Sequence, residues 1–128
     1  HPDWQPVLRE VQAWGVPTLL TGLSNPVQLL WARAQGANFV APYVGRLQAD
    51  GRDVWSLIEA CVAVQADGLQ LLAASIKSAD VLSRLIAVGA HAVTVRPEFA
   101  AGLATDPLTL AAMAQFDRDV ETSQKAVL

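Results

Sequence analysis

Apolar residues recur along this chain at two different spacings, which predicts helices alternating with short strands. Near the amino terminus, Trp4, Val7, Leu8, Val11 and Trp14 lie three or four positions apart. This spacing places them on one face of a helix over residues 3–14. Further helices are predicted over residues 25–35, 53–65, 78–89, 97–103 and 106–123.

Short apolar runs separate these helices, and each run predicts a buried strand. They occupy residues 16–21, 39–44, 69–75 and 92–95. A glycine precedes each run, as expected where a helix ends on a left-handed residue, which glycine adopts without a Cβ penalty. These glycines are Gly15, Gly36, Gly68 and Gly89.

Polar residues mark where several helices begin. Asn25, Asp53 and Ser78 each precede a helical stretch and are predicted to cap it, because their side-chain oxygens can accept from the first free amides. Residues 45–52 are polar, contain an Asp-Gly pair and are predicted to form a loop.

Strands that alternate with helices predict an α/β fold with a parallel sheet. They begin roughly every 22 to 30 residues, the spacing of units in a TIM (β/α)8 barrel, which takes about 200 to 250 residues when closed. With four strands and five to six helices, residues 1–128 are predicted to be a single domain that supplies half of such a barrel. A small open sheet is the alternative, but it would leave unpaired strand edges that proteins usually cover. The half-barrel hypothesis therefore predicts a missing partner.

Composition excludes several classes of function. The 128 residues are 52% apolar, with a mean hydropathy of +0.30, which is enough to fill a core. A net charge of −3 and nine scattered basic residues argue against nucleic-acid binding, which needs clustered cations. The apolar runs are far shorter than a membrane span, and no leader pattern opens the chain. We therefore expect a cytoplasmic protein that binds neither membrane nor nucleic acid.

Cysteine and histidine are too few for a metal centre. Cys61 lies in a predicted helix and is expected to be a buried small hydrophobe, with a reactive thiol as the less favoured alternative. His91 lies at the start of a predicted strand, away from the end where chemistry is expected, and is expected to be structural. The other histidine is His1, so no metal site is predicted.

Candidate chemistry gathers just after each predicted strand. Parallel α/β sheets place their functional sites at the carboxyl ends of the strands. None of the twelve acidic residues falls at these ends, so catalysis by paired carboxylates is not supported. The residues that do follow the strands are Thr21, Tyr43 with Arg46, Ser75 with Lys77, and Thr94 with Arg96.

The hexapeptide at residues 41–46, Ala-Pro-Tyr-Val-Gly-Arg, resembles the transaldolase family, in particular the small fructose-6-phosphate aldolases and compact bacterial transaldolases. Four further strings are similar in order and spacing, at residues 17–21, 36–40, 71–77 and 89–95. They resemble strands five to eight of the family's barrel. The resemblance covers nearly the whole chain and implies the carboxyl-terminal half of a TIM barrel.

The resemblance implies class I aldol chemistry on sugar phosphates, in which a dihydroxyacetone unit is transferred or released without a metal or organic cofactor. The family forms a Schiff base on a lysine at the end of strand four, which would lie upstream of His1. Lys77 and Lys125 are the lysines present, and Lys77 matches a family lysine that is not the nucleophile. We therefore expect the nucleophilic lysine outside this chain.

By resemblance, Thr21 and Tyr43 are the catalytic residues and hold the water that moves protons. A hydroxyl and a phenol suit this role because each can donate and accept a hydrogen bond. The structural alternative for Thr21 is a strand-end hydroxyl bonded to backbone. For Tyr43 it is a core aromatic whose hydroxyl is satisfied.

Arg46 and Ser75 match the family's positions for the substrate phosphate, and Ala41 is included in the predicted substrate pocket. A guanidinium presents a planar fork to phosphate oxygens, and a serine hydroxyl completes the cradle. The alternative for Arg46 is a salt bridge at the rim. Arg96 stands where the family commonly has proline, and Gly45 where it often has asparagine. Arg96 could add a second cation or simply line the rim.

A second hypothesis is a non-catalytic half-barrel that binds phosphate or acts in assembly. A third, another phosphate-binding barrel such as an isomerase, fits the fold but not the spacing of Tyr43 and Arg46. The predicted partners are a sugar-phosphate substrate and either further copies of the chain or an amino-terminal half. We expect a homo-oligomer because the terminal helix resembles one that small family members lay across a neighbouring subunit.

Overall fold

The computed structural model describes residues 2–126 and divides into two compact units. The first unit ends at Val95 and the second begins at Arg96. The first holds the sheet and the second holds two helices, and each is described by itself. The sequence-based expectation of one domain over residues 1–128 stays a prediction.

The described part of the chain contains one four-stranded parallel sheet, which confirms the predicted α/β class. The strands neighbour one another in chain order, as successive units of a TIM barrel do. Leu20 pairs with Val40, and Leu72 pairs with Ala92. The strands are β1 (Leu19–Thr21), β2 (Phe39–Ala41), β3 (Gln70–Ala73) and β4 (Ala92–Val93).

Helices connect the successive strands, as the crossover connections of a parallel sheet require. A 3₁₀ turn at Pro2–Trp4 leads into the first helix, and another at Gln65–Asp67 precedes β3. The α-helices of this unit are α1 (Gln5–Ala13), α2 (Val27–Ala34), α3 (Val44–Ala49), α4 (Val54–Ala63) and α5 (Ala79–Ala87).

Helix α3 corrects the sequence-based expectation of a loop over residues 45–52. The amides of Arg46 and Leu47 both donate to the carbonyl oxygen of Tyr43, each at 3.0 Å, and so begin a helix directly after β2. The polar and glycine-containing sequence hid this helix because its buried residues, Val44 and Leu47, are too few to show a helical period. Residues 2–126 therefore contain seven α-helices rather than five or six.

The predicted helix caps are largely confirmed. The amide of Ser56 donates to Asp53, and the amide of Val81 donates to the hydroxyl oxygen of Ser78. The Asn25 side chain accepts from the amide of Gln28 at 3.3 Å, although α2 itself begins two residues later, at Val27. The caps predicted at Asp53 and Ser78 are therefore confirmed, whereas the residue before α2 is Pro26 rather than Asn25.

The core lies around the two central strands. Val40 of β2 and Leu71 of β3 are fully buried, together with Leu57 and Ile58 of α4 and Leu85 of α5. The edge strand β1 is different, since Leu19 remains 42% exposed. In the described part of the chain, β1 and β4 each pair with one neighbour only. The sheet is thus open, with an apolar residue exposed at one edge.

A glutamine side chain ties the amino ends of β3 and β4 together. Gln65 Oε1 accepts from the amides of Leu71, at 3.2 Å, and His91, at 3.0 Å. Its Nε2 donates to the carbonyl oxygen of Gly89 at 2.9 Å. One side chain therefore satisfies three backbone groups that lie at the end of the sheet away from the predicted site.

The second unit consists of α6 (Pro97–Leu103) and α7 (Pro107–Ala126). Asp106 Oδ1 accepts from the amides of Leu108 and Thr109 and so caps α7. Apolar side chains of α7 are exposed, among them Leu108, Met113 and Phe116. Among residues 2–126, none of the helices is both long and apolar enough to span a bilayer.

Candidate functional site

Three backbone hydrogen bonds join the carboxyl end of β2 to that of β3. The Ala74 amide donates to Pro42 at 3.1 Å, Val44 donates to Ala74 at 2.8 Å, and Gly45 donates to Ser75 at 3.0 Å. Tyr43 and Ala74 form a parallel bridge between the two segments. The segments that carry Tyr43, Arg46 and Ser75 therefore lie side by side, as expected for the ends of adjacent parallel strands.

Tyr43 and Arg46, two of the predicted site residues, contact each other through their side chains. Tyr43 is the residue before α3, and Arg46 lies in the first turn of that helix. The Arg46 Cζ atom lies 4.8 Å from the centroid of the Tyr43 ring, within the range of a cation–π contact. Tyr43 is half-buried and Arg46 is exposed. The ring thus supports one face of a guanidinium whose surroundings are open to solvent.

Ser75 has an unusual backbone conformation. Its φ is 63°, and it is the one non-glycine residue with a positive φ in the described part of the chain. Left-handed conformations of this kind cost roughly 1 to 3 kcal/mol and persist where the surroundings fix them, often at functional sites. Here the Gly45 amide bonds the Ser75 carbonyl oxygen. The carboxyl end of β3 is therefore held in a specific, strained shape.

Lys77 lies next to this junction, on the segment that follows Ser75. A Cβ atom built on Gly45 would lie 3.1 Å from both Cδ and Cε of Lys77. The amino-acid sequence placed Lys77 after the third strand but gave no sign of its approach to Gly45. That approach depends on the backbone path of two segments about thirty residues apart.

Thr21 lies one strand further along the sheet edge. It pairs in register with Ala41, and its hydroxyl donates to the Ala41 carbonyl oxygen at 3.1 Å. This is the backbone-bonded threonine that the sequence left open as an alternative. The oxygen of Thr21 still has lone pairs that can accept a hydrogen bond, so the arrangement also allows a bound water. Ala41 is 3% exposed, and its membership of a substrate pocket stays a prediction.

Arg96 is the first residue of the second unit and precedes α6. It is exposed. Its predicted role at the substrate pocket, as a second cation or as a rim residue, stays a prediction. The nearby Thr94 belongs to the first unit, where its amide donates to Ala73 at 2.9 Å.

A cavity of about 840 Å³ lies beside β1. It includes Thr21 at the carboxyl end of the strand, whereas Tyr43, Arg46 and Ser75 are not among its lining residues. Its walls are mainly apolar and come from the 3₁₀ turn, α1, β1 and α2. They include Trp4, Val7, Val11, Leu19, Leu20 and Trp31.

Cys61 and His91 have structural surroundings. Cys61 is fully buried in α4, as predicted, and burial raises the pKa of its thiol to about 12. The His91 amide donates to Gln65, and its ring lies 6.2 Å from that of Phe39. Within residues 2–126, no three side chains of the metal-binding types come together.

A comparison with known families agrees with three features of the chain. These are the order of the strands, the hexapeptide at residues 41–46 and the junction of β2 with β3. Residues 3–127 match the family described as transaldolase/fructose-6-phosphate aldolase. The chain belongs to this family. The resemblance seen in the sequence is thereby confirmed over almost the whole chain.

Several curated relatives in this family are called probable transaldolases. That of Roseobacter denitrificans is 34% identical over 104 residues, which are 79% of this chain and 48% of the relative. That of Caulobacter vibrioides is 31% identical over 116 residues, covering 88% and 54% of the two chains. For Desulfatibacillum aliphaticivorans the identity is 31% over 127 residues, covering 97% and 59%.

The chain spans about half the length of these relatives, from 48% to 59%. Its four parallel strands are correspondingly half of the eight that a complete TIM barrel contains. This transaldolase-family chain is thus a partial TIM barrel, and the part it holds carries the junction of Tyr43, Arg46 and Ser75.

Proposed function

We propose that this chain forms the carboxyl-terminal half of a transaldolase or fructose-6-phosphate aldolase that acts on sugar phosphates through a Schiff base. The observation that carries the proposal is the junction of β2 and β3 in a chain of this family. There a phenol, a guanidinium and a serine lie on adjacent segments at the carboxyl ends of parallel strands.

In the proposed reaction, a lysine supplied from outside residues 1–128 attacks the ketone carbon of the sugar phosphate, and water leaves. The resulting iminium draws the electron pair of the neighbouring carbon–carbon bond as that bond breaks. The hydroxyl proton of the departing aldehyde passes to a base, and a dihydroxyacetone unit stays on the lysine. It is then transferred to a second aldehyde or released by hydrolysis.

The proton transfers are assigned to Tyr43 and Thr21. The Thr21 hydroxyl donates to Ala41 and can accept from a water at the strand ends. Tyr43 is half-buried, so its phenol is supported by packing yet accessible. A water held between a phenol and a hydroxyl can take a proton from one group and give it to another. This is the arrangement that both the nucleophilic attack and the bond cleavage need.

The phosphate of the substrate is assigned to Arg46 and Ser75. Stacking on Tyr43 orients the planar guanidinium, which loses less freedom when it binds two phosphate oxygens. The Ser75 hydroxyl lies on the neighbouring segment, whose backbone is fixed by the bond from Gly45. Arg96 and Ala41 are retained as further candidates for this pocket.

The open edge of β1 supports a missing half. Its backbone pairs only with β2 among the described residues, and Leu19 is 42% exposed. The apolar cavity beside it is of the kind that another βα unit fills in a closed barrel. The proposed partner is an amino-terminal half in the same or another polypeptide, with homo-oligomers of the complete protein. A cytoplasmic location goes with this proposal.

Borohydride trapping tests the mechanism. Full-length protein incubated with fructose 6-phosphate and sodium borohydride should gain a covalent three-carbon or six-carbon adduct, seen by intact-mass spectrometry. Peptide mapping should place it on a lysine outside residues 1–128. Absence of an adduct, or an adduct on Lys77, would contradict the proposal.

The alternative, a non-catalytic phosphate-binding half-barrel, is favoured by one observation. Lys77 and Lys125 are the lysines of this chain, and both are exposed, whereas a Schiff-base lysine is partly desolvated so that its amine is neutral. Binding of phosphate by full-length protein that forms no adduct would support this alternative over the enzyme.

A further inference from the structure

Gly45 differs from the other glycines of this chain in the reason for which glycine is needed. Gly15, Gly22, Gly51, Gly68 and Gly89 have positive φ, and a Cβ on any of them would meet nothing within 4 Å. Gly45 does not have a positive φ. A Cβ built on it would lie 2.5 Å from the Ser75 carbonyl oxygen and 3.1 Å from Lys77 Cδ and Cε.

The neighbouring backbone is poorly placed to move away. The Val44 amide bonds the Ala74 carbonyl oxygen at 2.8 Å, and Val44 is fully buried. Real Cβ atoms essentially never approach a backbone oxygen to 2.5 Å, so an alanine methyl at this position would force the Ser75 carbonyl group and the first turn of α3 apart. The hydrogen bond from the amide of residue 45 to the Ser75 carbonyl oxygen is 3.0 Å long, and it would lengthen and weaken as the two groups move apart.

The loss would act on Ser75 because its left-handed backbone needs support. A serine at φ 63° returns to an ordinary conformation once the groups that fix it are removed. That change would rotate the Ser75 side chain and carry Lys77 with it. Arg46, one residue after Gly45, lies on the same helical turn.

We infer that Gly45 is a positioning residue of the site: its missing Cβ lets the first turn of α3 approach the end of β3, and the resulting bond holds Ser75 in its left-handed conformation. The effect on ligand binding rests on the proposed function, in which Ser75 and Arg46 share one phosphate. The effect on the backbone of Ser75 does not depend on the proposed function.

Hydrogen exchange tests the structural part in the full-length protein. The amide of Gly45 should exchange slowly in the wild type, on the scale of the Val44 amide. In Gly45→Ala the amide at position 45 should exchange at least ten times faster than in the wild type. The NMR resonances of the Ser75 and Ile76 amides should also shift. Rapid exchange at Gly45 in the wild type would overturn the inference without any variant.

Gly51→Ala is the matched control. Gly51 follows the same helix and has a φ of 69°, so alanine there strains the backbone, but nothing lies within 4 Å of the added Cβ. This variant should lower the midpoint of unfolding while leaving the amide at position 45 protected. Equal loss of protection at position 45 in both variants would mean that general destabilisation explains the effect.

Binding of inorganic phosphate, followed by NMR titration or calorimetry, tests the consequence for the site. Gly45→Ala should weaken phosphate binding about tenfold, and Gly51→Ala should leave it within twofold. If the wild type binds no phosphate while Gly45→Ala still releases Ser75, the phosphate assignment fails and the positioning role stands. Unchanged protection and unchanged affinity in Gly45→Ala would refute the positioning role.

Discussion

The guanidinium of Arg46 lies over the ring of Tyr43, with Cζ 4.8 Å from the ring centroid. The two residues are three positions apart, and α3 begins between them, so one helical turn brings them together. In the proposed site the phenol serves proton transfer and the guanidinium serves phosphate binding. The contact therefore joins the group proposed for proton transfer to the group proposed for phosphate binding. Substitutions at Tyr43 and at Arg46 can test the two roles separately.

Arg46→Lys should weaken binding of fructose 6-phosphate about tenfold, because lysine keeps the charge but loses the planar fork and the stacking on Tyr43. Binding of unphosphorylated fructose should change less than twofold. Calorimetry of both ligands with the full-length protein checks this. Equal losses for the two sugars would show that Arg46 acts on the fold rather than on phosphate.

Tyr43→Phe should lower kcat by about 10² with little change in KM, because the ring that supports Arg46 remains while the hydroxyl that moves protons is removed. Steady-state kinetics on fructose 6-phosphate, with circular dichroism to check folding, give the readout. A rise in KM at constant kcat would instead assign Tyr43 to substrate binding.

Gln65→Leu should lower the free energy of unfolding by roughly 2 kcal/mol, because it removes the partners of three backbone groups near the amino ends of β3 and β4. Urea denaturation checks the value. Gln48→Leu is the control, since Gln48 is exposed on α3 and should change stability by under about 0.5 kcal/mol. Similar losses in both variants would contradict the linking role of Gln65.

Asp53 should make stability fall in acid. Hydrogen bonds from the side chain and amide of Ser56 lower the pKa of Asp53 below its usual value. A lowered pKa in the folded state means that the stabilisation is present above the unfolded-state pKa and is lost as pH falls through the folded one. Asp53→Asn keeps a capping oxygen but cannot titrate, so its stability should depend less on pH below about 4. The urea midpoints of the wild type and of Asp53→Asn, measured at several pH values, check this. Parallel pH profiles of the two proteins would contradict the prediction.

Cys61 should react slowly with thiol reagents in the folded protein. Burial raises the pKa of its thiol to about 12, so thiolate is scarce near neutral pH, and the side chain is fully buried. Reaction with an aromatic disulfide at pH 8 should speed up by more than about 10² in denaturant. Fast labelling without denaturant would show that α4 opens readily from the sheet.

Much of the fold could be predicted because its signals are local. The glycine stops at Gly15, Gly36, Gly68 and Gly89 all have positive φ, and the caps at Asp53 and Ser78 accept from the amides expected of them. A cap or a left-handed stop depends on a few neighbouring residues, so the sequence carries it in full. The predicted strands were longer than the observed ones, because apolar runs do not show where pairing ends.

The residues that follow the strands could also be predicted to lie at one edge of the sheet, since parallel strands place their carboxyl ends there. The order of the strands, the family, and the position of Tyr43, Arg46 and Ser75 after their strands could all be predicted from the amino-acid sequence. Three features became visible only in the folded chain: α3 begins at Val44, Ser75 is left-handed, and a Cβ on Gly45 would lie 2.5 Å from the Ser75 carbonyl oxygen. These features depend on how closely two segments distant in sequence approach, and no local pattern of residues encodes that distance.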